Sequence, residues 1–318
     1  MKKVLITRPL PDVVVAEAHK YFDVTARGET SPLSMSEMQT ALGAFHGIMP
    51  TLGDMFQPAV FDNLSESKCT ILANFGVGYN HIDVDAAMQH GVTVSNTPGA
   101  VTDATADIAM TLMLMSARRT GEGERLVRLG NWEGWHPTQM LGLHLSGKTV
   151  GIVGMGRIGQ AIAHRCHYGF GMKVGYVSRS HKTLPFEAAA FGSLIELASA
   201  VDVLVLAVPG GAETHHLVNA DVLNAMQPHS HLVNISRGNV VDEAALIAAL
   251  QSDQIGGAGL DVYEFEPTVP QALRDLENVV LLPHLGTAAL EVRADMGLMA
   301  VANLKAHLVD GISAPNKV

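Results

Sequence analysis

The sequence predicts an α/β protein made of two doubly wound parallel-sheet domains, on three observations. Short β-branched runs alternate with helical patterns along most of the chain, as they do in successive βαβ units. A glycine run, Gly154-Met155-Gly156-Arg157-Ile158-Gly159, stands between an apolar strand and an amphipathic helix. The 318 residues are 47% apolar and 16% charged, which suits well-buried layers, and they exceed what one core of roughly 100–200 residues fills.

In the first part of the chain, residues 4–7, runs near Val24 and Ile48, and residues 71–73 and 92–94 read as strands. Residues 13–21, 34–42 and 84–89 read as helices. After 71–73 comes Gly76-Val77-Gly78, a second glycine-rich strand-to-helix turn, readable either as a plain structural turn or as a backbone nest for a small anion such as a carboxylate. Thr97-Pro98-Gly99 then breaks the pattern, as a hinge or domain crossing does. A helix is expected over 102–119, with Asp103 and Asp107 in its first turns and Arg118 and Arg119 in its last, the order a helix dipole prefers. Both tryptophans, Trp132 and Trp135, fall in the glycine-rich stretch 125–147, which reads as an arm over a cleft or a neighbouring subunit.

From Thr149 the second domain runs through strands at 149–153, 174–177, 203–208, 231–235, 258–260 and 279–282, with helices at 194–200, 220–226 and 243–250 between them. The final helical stretch, 290–308, has no place in that sheet and is expected to return to the first domain. In the glycine run, Gly154 and Gly156 allow a tight turn and close backbone approach to a pyrophosphate, while Gly159 lets helix and strand pack. Arg157 and Ile158 would offer free N–H groups to the phosphates at the helix start. A dinucleotide is therefore the expected ligand.

The net charge of −10 argues against a nucleic-acid partner, because no general basic footprint exists. Cys69 and Cys166 have no metal-ligand spacing and read as buried thiols in a reducing compartment. The N-terminus reads as a first strand rather than a signal peptide, and the apolar stretch 108–117 is too short to cross a bilayer, so a cytoplasmic location without membrane contact is expected. No metal is expected. The histidines include no H-E-x-x-H, and His215-His216 and His164/His167 read as loop or helix-surface pairs.

Open α/β sheets bind ligands beyond the carboxyl ends of their strands. Three polar groups stand there: Arg237 after 231–235, Glu266 after 258–260 and His284 after 279–282. Together they suit reduction of a 2-oxo acid. A guanidinium holds a carboxylate in a two-pronged bond and polarises the adjacent carbonyl. A histidine gives the proton to the carbonyl oxygen as hydride reaches the carbon, and a neighbouring carboxylate favours the imidazolium.

With Asn74-Phe75-Gly76-Val77-Gly78-Tyr79-Asn80, the glycine run, Asn234-Ile235-Ser236-Arg237-Gly238, Gly259-Leu260-Asp261-Val262-Tyr263 with Glu266-Pro267, and Pro283-His284-Leu285-Gly286, the sequence resembles the D-isomer-specific 2-hydroxyacid dehydrogenases over nearly its whole length. The resemblance implies that Arg237 binds and polarises substrate, His284 is the acid/base, Glu266 supports it, and the backbone at Val77 and Gly78 receives the substrate carboxylate. It extends the cofactor contacts to Thr105, Val208, Pro209, Ile235, Asp261 and Gly286. It implies a dinucleotide-binding Rossmann domain, 99–287, inserted into a flavodoxin-like substrate domain, 1–98 plus 288–318, and a homodimer clasped through the region after Pro98. The Trp132-Glu133-Gly134-Trp135-His136-Pro137 arm is most similar to that of glyoxylate/hydroxypyruvate reductases, which implies that Trp135 reaches a neighbour's site; Leu52 and Trp135 are then the expected substrate discriminators.

One departure bears on the cofactor. Folds that use NAD carry an acid about twenty residues past the fingerprint, on the ribose 2′-OH. Here that strand end reads Tyr176-Val177-Ser178-Arg179-Ser180, with no acid and with groups able to donate to a 2′-phosphate. The expected reaction is NADPH-preferring reduction of glyoxylate or hydroxypyruvate, with NAD as the lesser cofactor. The alternatives are a D-3-phosphoglycerate-type or other NAD-dependent D-2-hydroxyacid dehydrogenase and, from another class, a dinucleotide-sensing corepressor. No evident extra basic group serves a substrate phosphate, and no low-complexity tail serves a corepressor.

Overall fold

The computed structural model describes residues 1–62 and 67–318. They form two compact units, Met1–Val101 with Ala288–Val318, and Thr102–Thr287.

In the first unit the strands are β1 (Lys2–Ile6), β2 (Phe22–Ala26), β3 (Gly47–Met49), β4 (Ile71–Ala73) and β5 (Thr93–Ser95), all parallel in the order β2-β1-β3-β4-β5. Alternate residues point to opposite faces. Leu5, Ile48, Leu72 and Val94 meet Phe56 and Phe61 on one side. Val4, Ile6, Met49, Ile71 and Ala73 meet Val14, Ala300 and Leu304 on the other. The latter partners include the last helix, Leu290–Leu308, whose Gly297 lets Val14 approach: a Cβ there would stand 2.4 Å from Val14 Cγ2. Buried Asn303 completes this face, donating to Asn96 O and accepting from Asn316 N, which ties the C-terminal residues beside β5.

The second unit holds β6 (Thr149–Val153), β7 (Lys173–Val177), β8 (Ala188–Ala190), β9 (Val203–Leu206), β10 (His231–Asn234), β11 (Gly257–Leu260) and β12 (Val279–Leu281), parallel throughout in the order β12-β11-β10-β9-β6-β7-β8. Val203, Val205 and Val233 face Leu112, Met113 and Ile162, while Leu204, Leu206 and Leu232 face Leu197, Leu246 and Leu250. The strand order reverses between β6 and β9, and there the glycine run leaves the sheet. Helix starts follow the local chemistry: Ser34 and Ser193 close capping boxes with Glu37 and Glu196, and Asp83 and Asp242 accept from the third residue beyond them. Cys69 and Cys166 are both free and buried, and burial pushes each thiol up to about 12. Among the described residues no helix is long and apolar enough to cross a membrane.

One expectation needs correction, and some elements were not expected. The helix from Thr102 ends at Ala117, not Arg119; Arg119 adopts φ 52°, and a separate helix, Thr120–Arg128, follows with no buried residue. Its Gly121 and Gly123 conceal it in the sequence, since glycine is a poor helix former. The edge strand β8, alanine-rich and without β-branched residues, gives no strand signal. The helix Val84–Gln89 stands where the sequence places it, beyond residues 79–83 that follow the turn at Gly76–Gly78.

His231, at the start of β10, is 7% exposed and shares a 2.8 Å hydrogen bond with Ser116 Oγ. Burial, helped by the charge at His229, lowers it from 6.5 to about 4. Between those values the unfolded chain holds a proton that the folded chain lacks, so this contribution to stability is full above 6.5 and is lost as pH falls toward 4. The shift corresponds to about 3 kcal/mol. Urea unfolding should show that loss between pH 6.5 and 4, and the His231→Asn variant should show a clearly flatter profile.

Candidate active site

The end of β10 and the two loops after β11 and β12 bring the predicted groups of the second unit together. Asn234, the last residue of β10, organises its own turn: Oδ1 accepts from Ser236 N and Oγ, and Nδ2 donates to Arg237 O at 2.9 Å. Arg237 Nη1 donates to Ser236 O at 2.7 Å. Burial lowers the guanidinium from its ordinary value, against the opposing charge of Glu266. Gly238 is obligatory, because a Cβ there would lie 1.8 Å from Tyr263 C. That contact seats the Arg237 turn on the Tyr263–Glu266 loop.

His284 Nδ1 lies 2.9 Å from Glu266 Oε2, and Glu266 Oε1 accepts from Tyr263 N at 3.1 Å. Both side chains are about one-third exposed. Burial raises the Glu266 carboxyl, but the His284 hydrogen bond and charge, the Tyr263 amide and the Arg237 charge together outweigh it and hold the group below the ordinary carboxylate range. His284 itself sits at φ 56°, a left-handed conformation uncommon outside glycine. Asp261 holds it there. Its carbonyl accepts from His284 N at 3.0 Å, and its two carboxylate oxygens accept from Leu285 N at 2.6 Å and Gly286 N at 2.8 Å. Thr105 Oγ1 adds a bond to Gly286 O at 3.1 Å. Burial raises the Asp261 carboxyl, partly offset by the two amides. With Nδ1 committed to Glu266, Nε2 is the His284 atom free to exchange a proton with a ligand.

At the glycine run each glycine has its own reason. Gly154 takes φ 95° and a Cβ there would meet Ala207 O at 2.6 Å; at Gly159 it would meet Gly154 O at 2.1 Å. At Gly156 it would meet nothing within 4 Å. The first two are demanded by packing and the third faces open space, which is where a pyrophosphate can approach the backbone. The helix Arg157–Phe170 starts there with no side-chain cap, leaving N–H groups for an anion. These residues fit a dinucleotide.

Past β7, Ser178 is half-buried and Ser180 exposed. Arg179 is 88% exposed, 3.9 Å from the equally exposed Glu213. Lys182, which sequence reading did not single out, donates to Ser180 Oγ at 2.8 Å and adds a second cation to this loop. Val208 and exposed Pro209 follow β9, and buried Ile235 follows β10.

In the first unit, the turn Gly76–Gly78 is held by its carbonyls. Asn74 Nδ2 donates to Gly76 O and Gly78 O, Asn96 Nδ2 to Val77 O, and Thr97 N to Gly76 O. Asn74 Oδ1 is in turn 3.0 Å from His81 Nε2. With the carbonyls turned inward, the N–H edge at Val77 and Gly78 is presented outward, as an anion nest requires. Asn74 and Asn96 are the positioning residues that sequence reading missed; an asparagine at a strand end before a glycine turn is the available signal. Leu52 is exposed in the loop after β3. Beside it Arg8, another cation that sequence reading passed over, lies against Gly53, where a Cβ would be 2.8 Å from Nη2. Trp135 is 79% exposed in an irregular segment and touches none of these groups in its own unit.

Residues 110–286 match the family model described as D-isomer specific 2-hydroxyacid dehydrogenase, NAD binding domain. The chain is 41% identical over 308 residues to a glyoxylate reductase of Pyrococcus horikoshii, covering 95% of this chain and 91% of that protein. It is 37% identical over 304 residues to a glycerate dehydrogenase of Hyphomicrobium methylovorum, covering 94% of each. Among solved structures it is similar to an NADPH-dependent glyoxylate/hydroxypyruvate reductase of Sinorhizobium meliloti in complex with NADP and malonate, with TM-score 0.88 and 37% identity over all of this chain and 96% of that one.

The contrast among the glycines is testable. Gly156→Ala should leave urea stability within about 0.5 kcal/mol of the parent yet weaken dinucleotide binding measured by fluorescence titration. Gly159→Ala should instead cost about 1–3 kcal/mol or more through overpacking against Gly154 O.

Proposed function

Since the chain belongs to the D-isomer-specific 2-hydroxyacid dehydrogenases and is an NAD(P)-dependent oxidoreductase, we propose that it reduces glyoxylate or hydroxypyruvate to the 2-hydroxy acid, D-configured where C2 becomes stereogenic, with NADPH preferred over NADH. The observation that carries this reading is the His284–Glu266 pair at 2.9 Å beside the partly exposed Arg237, on loops of the unit that bears the dinucleotide fingerprint. A bound reduced nicotinamide supplies the hydride that reaches the carbonyl carbon. Arg237 grips the carboxylate and polarises the carbonyl, and His284 delivers the proton to the carbonyl oxygen from Nε2. Glu266, ionised below its ordinary range, holds the imidazole by Nδ1 and stabilises its charge before the proton leaves. In the first unit, the amide edge at Val77 and Gly78 is the receptor for a carboxylate, and Leu52 is the neighbouring apolar contact.

For the cofactor, Gly154 to Gly159 take the pyrophosphate; Thr105, Val208, Pro209, Ile235, Asp261 and Gly286 line the nicotinamide side. Ser178, Arg179 and Ser180 take the 2′-phosphate, and the absence of an acid at this strand end supports NADPH. The protein acts in the cytoplasm as a homodimer. The dimer is supported by the helix Thr120–Arg128, which holds no fully buried residue, and by exposed Val127, Leu129, Trp132 and Trp135 beyond or upon it.

Oxidation of NADPH and NADH should be followed in parallel with glyoxylate, hydroxypyruvate, pyruvate and bulkier 2-oxo acids. Turnover should be fastest on the first two, and failure on every 2-oxo acid while NADPH still binds would refute the enzyme reading in favour of a binding module. Arg179→Ala should reduce the NADPH-over-NADH preference by about tenfold, since a charge-assisted bond contributes about 1.5–3 kcal/mol and this side chain is exposed. An unchanged ratio would sink the assignment. His284→Ala should lower kcat by about 10²–10⁴-fold with NADPH affinity retained; unchanged turnover would refute its role.

A further inference from the structure

A cluster outside the catalytic groups has the makings of a metal site. His215, His216 and Glu264 each offer one ligand atom, and these atoms lie within 4.8 Å of one another. His216 Nε2 is already 2.8 Å from Glu264 Oε1, and the two imidazoles stack at 4.0 Å between centroids. Sequence spacing cannot show this, because the carboxylate comes from 48 residues beyond His216.

Two of the ligands are held in place. His216 takes φ 48° with its N–H on Asn239 O, and Val218 bridges Val241 just beyond it. Glu264 belongs to the loop that Gly238 abuts: a Cβ on Gly238 would lie 2.3 Å from Glu264 N. His215 is exposed and can close the remaining distance without disturbing a core. The local charge also favours a cation. Buried Glu243 faces Glu264, whose amide reaches its Oε2 at 3.4 Å. Among the described residues neither carboxylate has a lysine or arginine ion pair.

We propose that His215, His216 and Glu264 form a surface site for a borderline transition-metal dication such as Zn²⁺. Two imidazoles and one carboxylate suit that ion class, whereas Mg²⁺ demands oxygen ligands. Three protein ligands leave a fourth position for water. The ion braces Glu264 and, through it, the turn carrying Arg237.

The test uses the full chain without a histidine tag, stripped with chelator, and titrated with Zn²⁺ by calorimetry. One ion per chain should bind, Mg²⁺ should not compete, and Co²⁺ at the same site should give the visible absorption of a four-coordinate ion. His215→Ala and Glu264→Gln should each weaken Zn²⁺ binding at least about 100-fold, while His164→Ala, in the other histidine cluster, should not change it. His215 is exposed, so its variant keeps the fold, and the thermal midpoint of each metal-free variant checks this. Zn²⁺ should raise the midpoint of the parent and not of His215→Ala. Absence of uptake, or undiminished affinity in either His215→Ala or Glu264→Gln, overturns the site.

Discussion

The geometry of the candidate site in the second unit depends on the carboxylate of Asp261. Two parallel strands, β11 and β12, end side by side, and their loops would otherwise diverge. Asp261 closes them by accepting from three consecutive amides, His284 N on its carbonyl and Leu285 N and Gly286 N on its carboxylate. The two carboxylate oxygens take one amide each, a pairing that an asparagine, with a single side-chain oxygen, would have to make with one shared atom. The clamp is what keeps His284 at φ 56°, a conformation that costs roughly 1–3 kcal/mol and persists only where its surroundings enforce it. The backbone held this way places the imidazole at Glu266, and the hydrogen bond from Nδ1 to Glu266 then leaves Nε2 available.

A second constraint is steric. At Gly159, Gly154 and Gly238 a side chain would collide with backbone at 2.1, 2.6 and 1.8 Å. Each collision joins two chain segments that both belong to the site: helix to fingerprint turn, fingerprint turn to the end of β9, and the Arg237 turn to the Glu266 loop. Close backbone contact substitutes for side-chain packing and leaves little slack. A polar site on loops gains from this, because positional errors of about 1 Å already cost activity.

Much of this was legible in the sequence, though unevenly. The β-branched strands and periodic helices were readable from their apolar runs and spacing, as at 149–153 and at 194–200. The helix Thr120–Arg128 and strand β8 were not, since Gly121, Gly123 and an alanine run contradict their own secondary structure and tertiary context prevails. Arg237, Glu266 and His284 could be nominated because strand ends are where α/β sheets expose chemistry. Asn74, Asn96 and Asn234 could not be given a role, because each acts through carbonyls of a neighbouring turn and such bonds leave no periodic trace. The third ligand of the histidine cluster was hidden for the same reason: topology, not spacing, brings Glu264 to His216.

The acidic chain must still receive an anionic cofactor and an anionic substrate. On the proposed function it would do so without a basic surface, with amides where the anion meets backbone and single cations where it meets side chains. Amide sites, at Gly156 and at Val77–Gly78, are built into turns whose carbonyls or helix are already satisfied, so they cost the fold little and add no net charge. Arg179 and Lys182 lie on an exposed loop, where an ion pair such as Arg179–Glu213 at 3.9 Å contributes little to stability. Substitution at that loop therefore leaves the core untouched, whereas the Asp261 clamp and the three glycines cannot be altered without disturbing the fold itself.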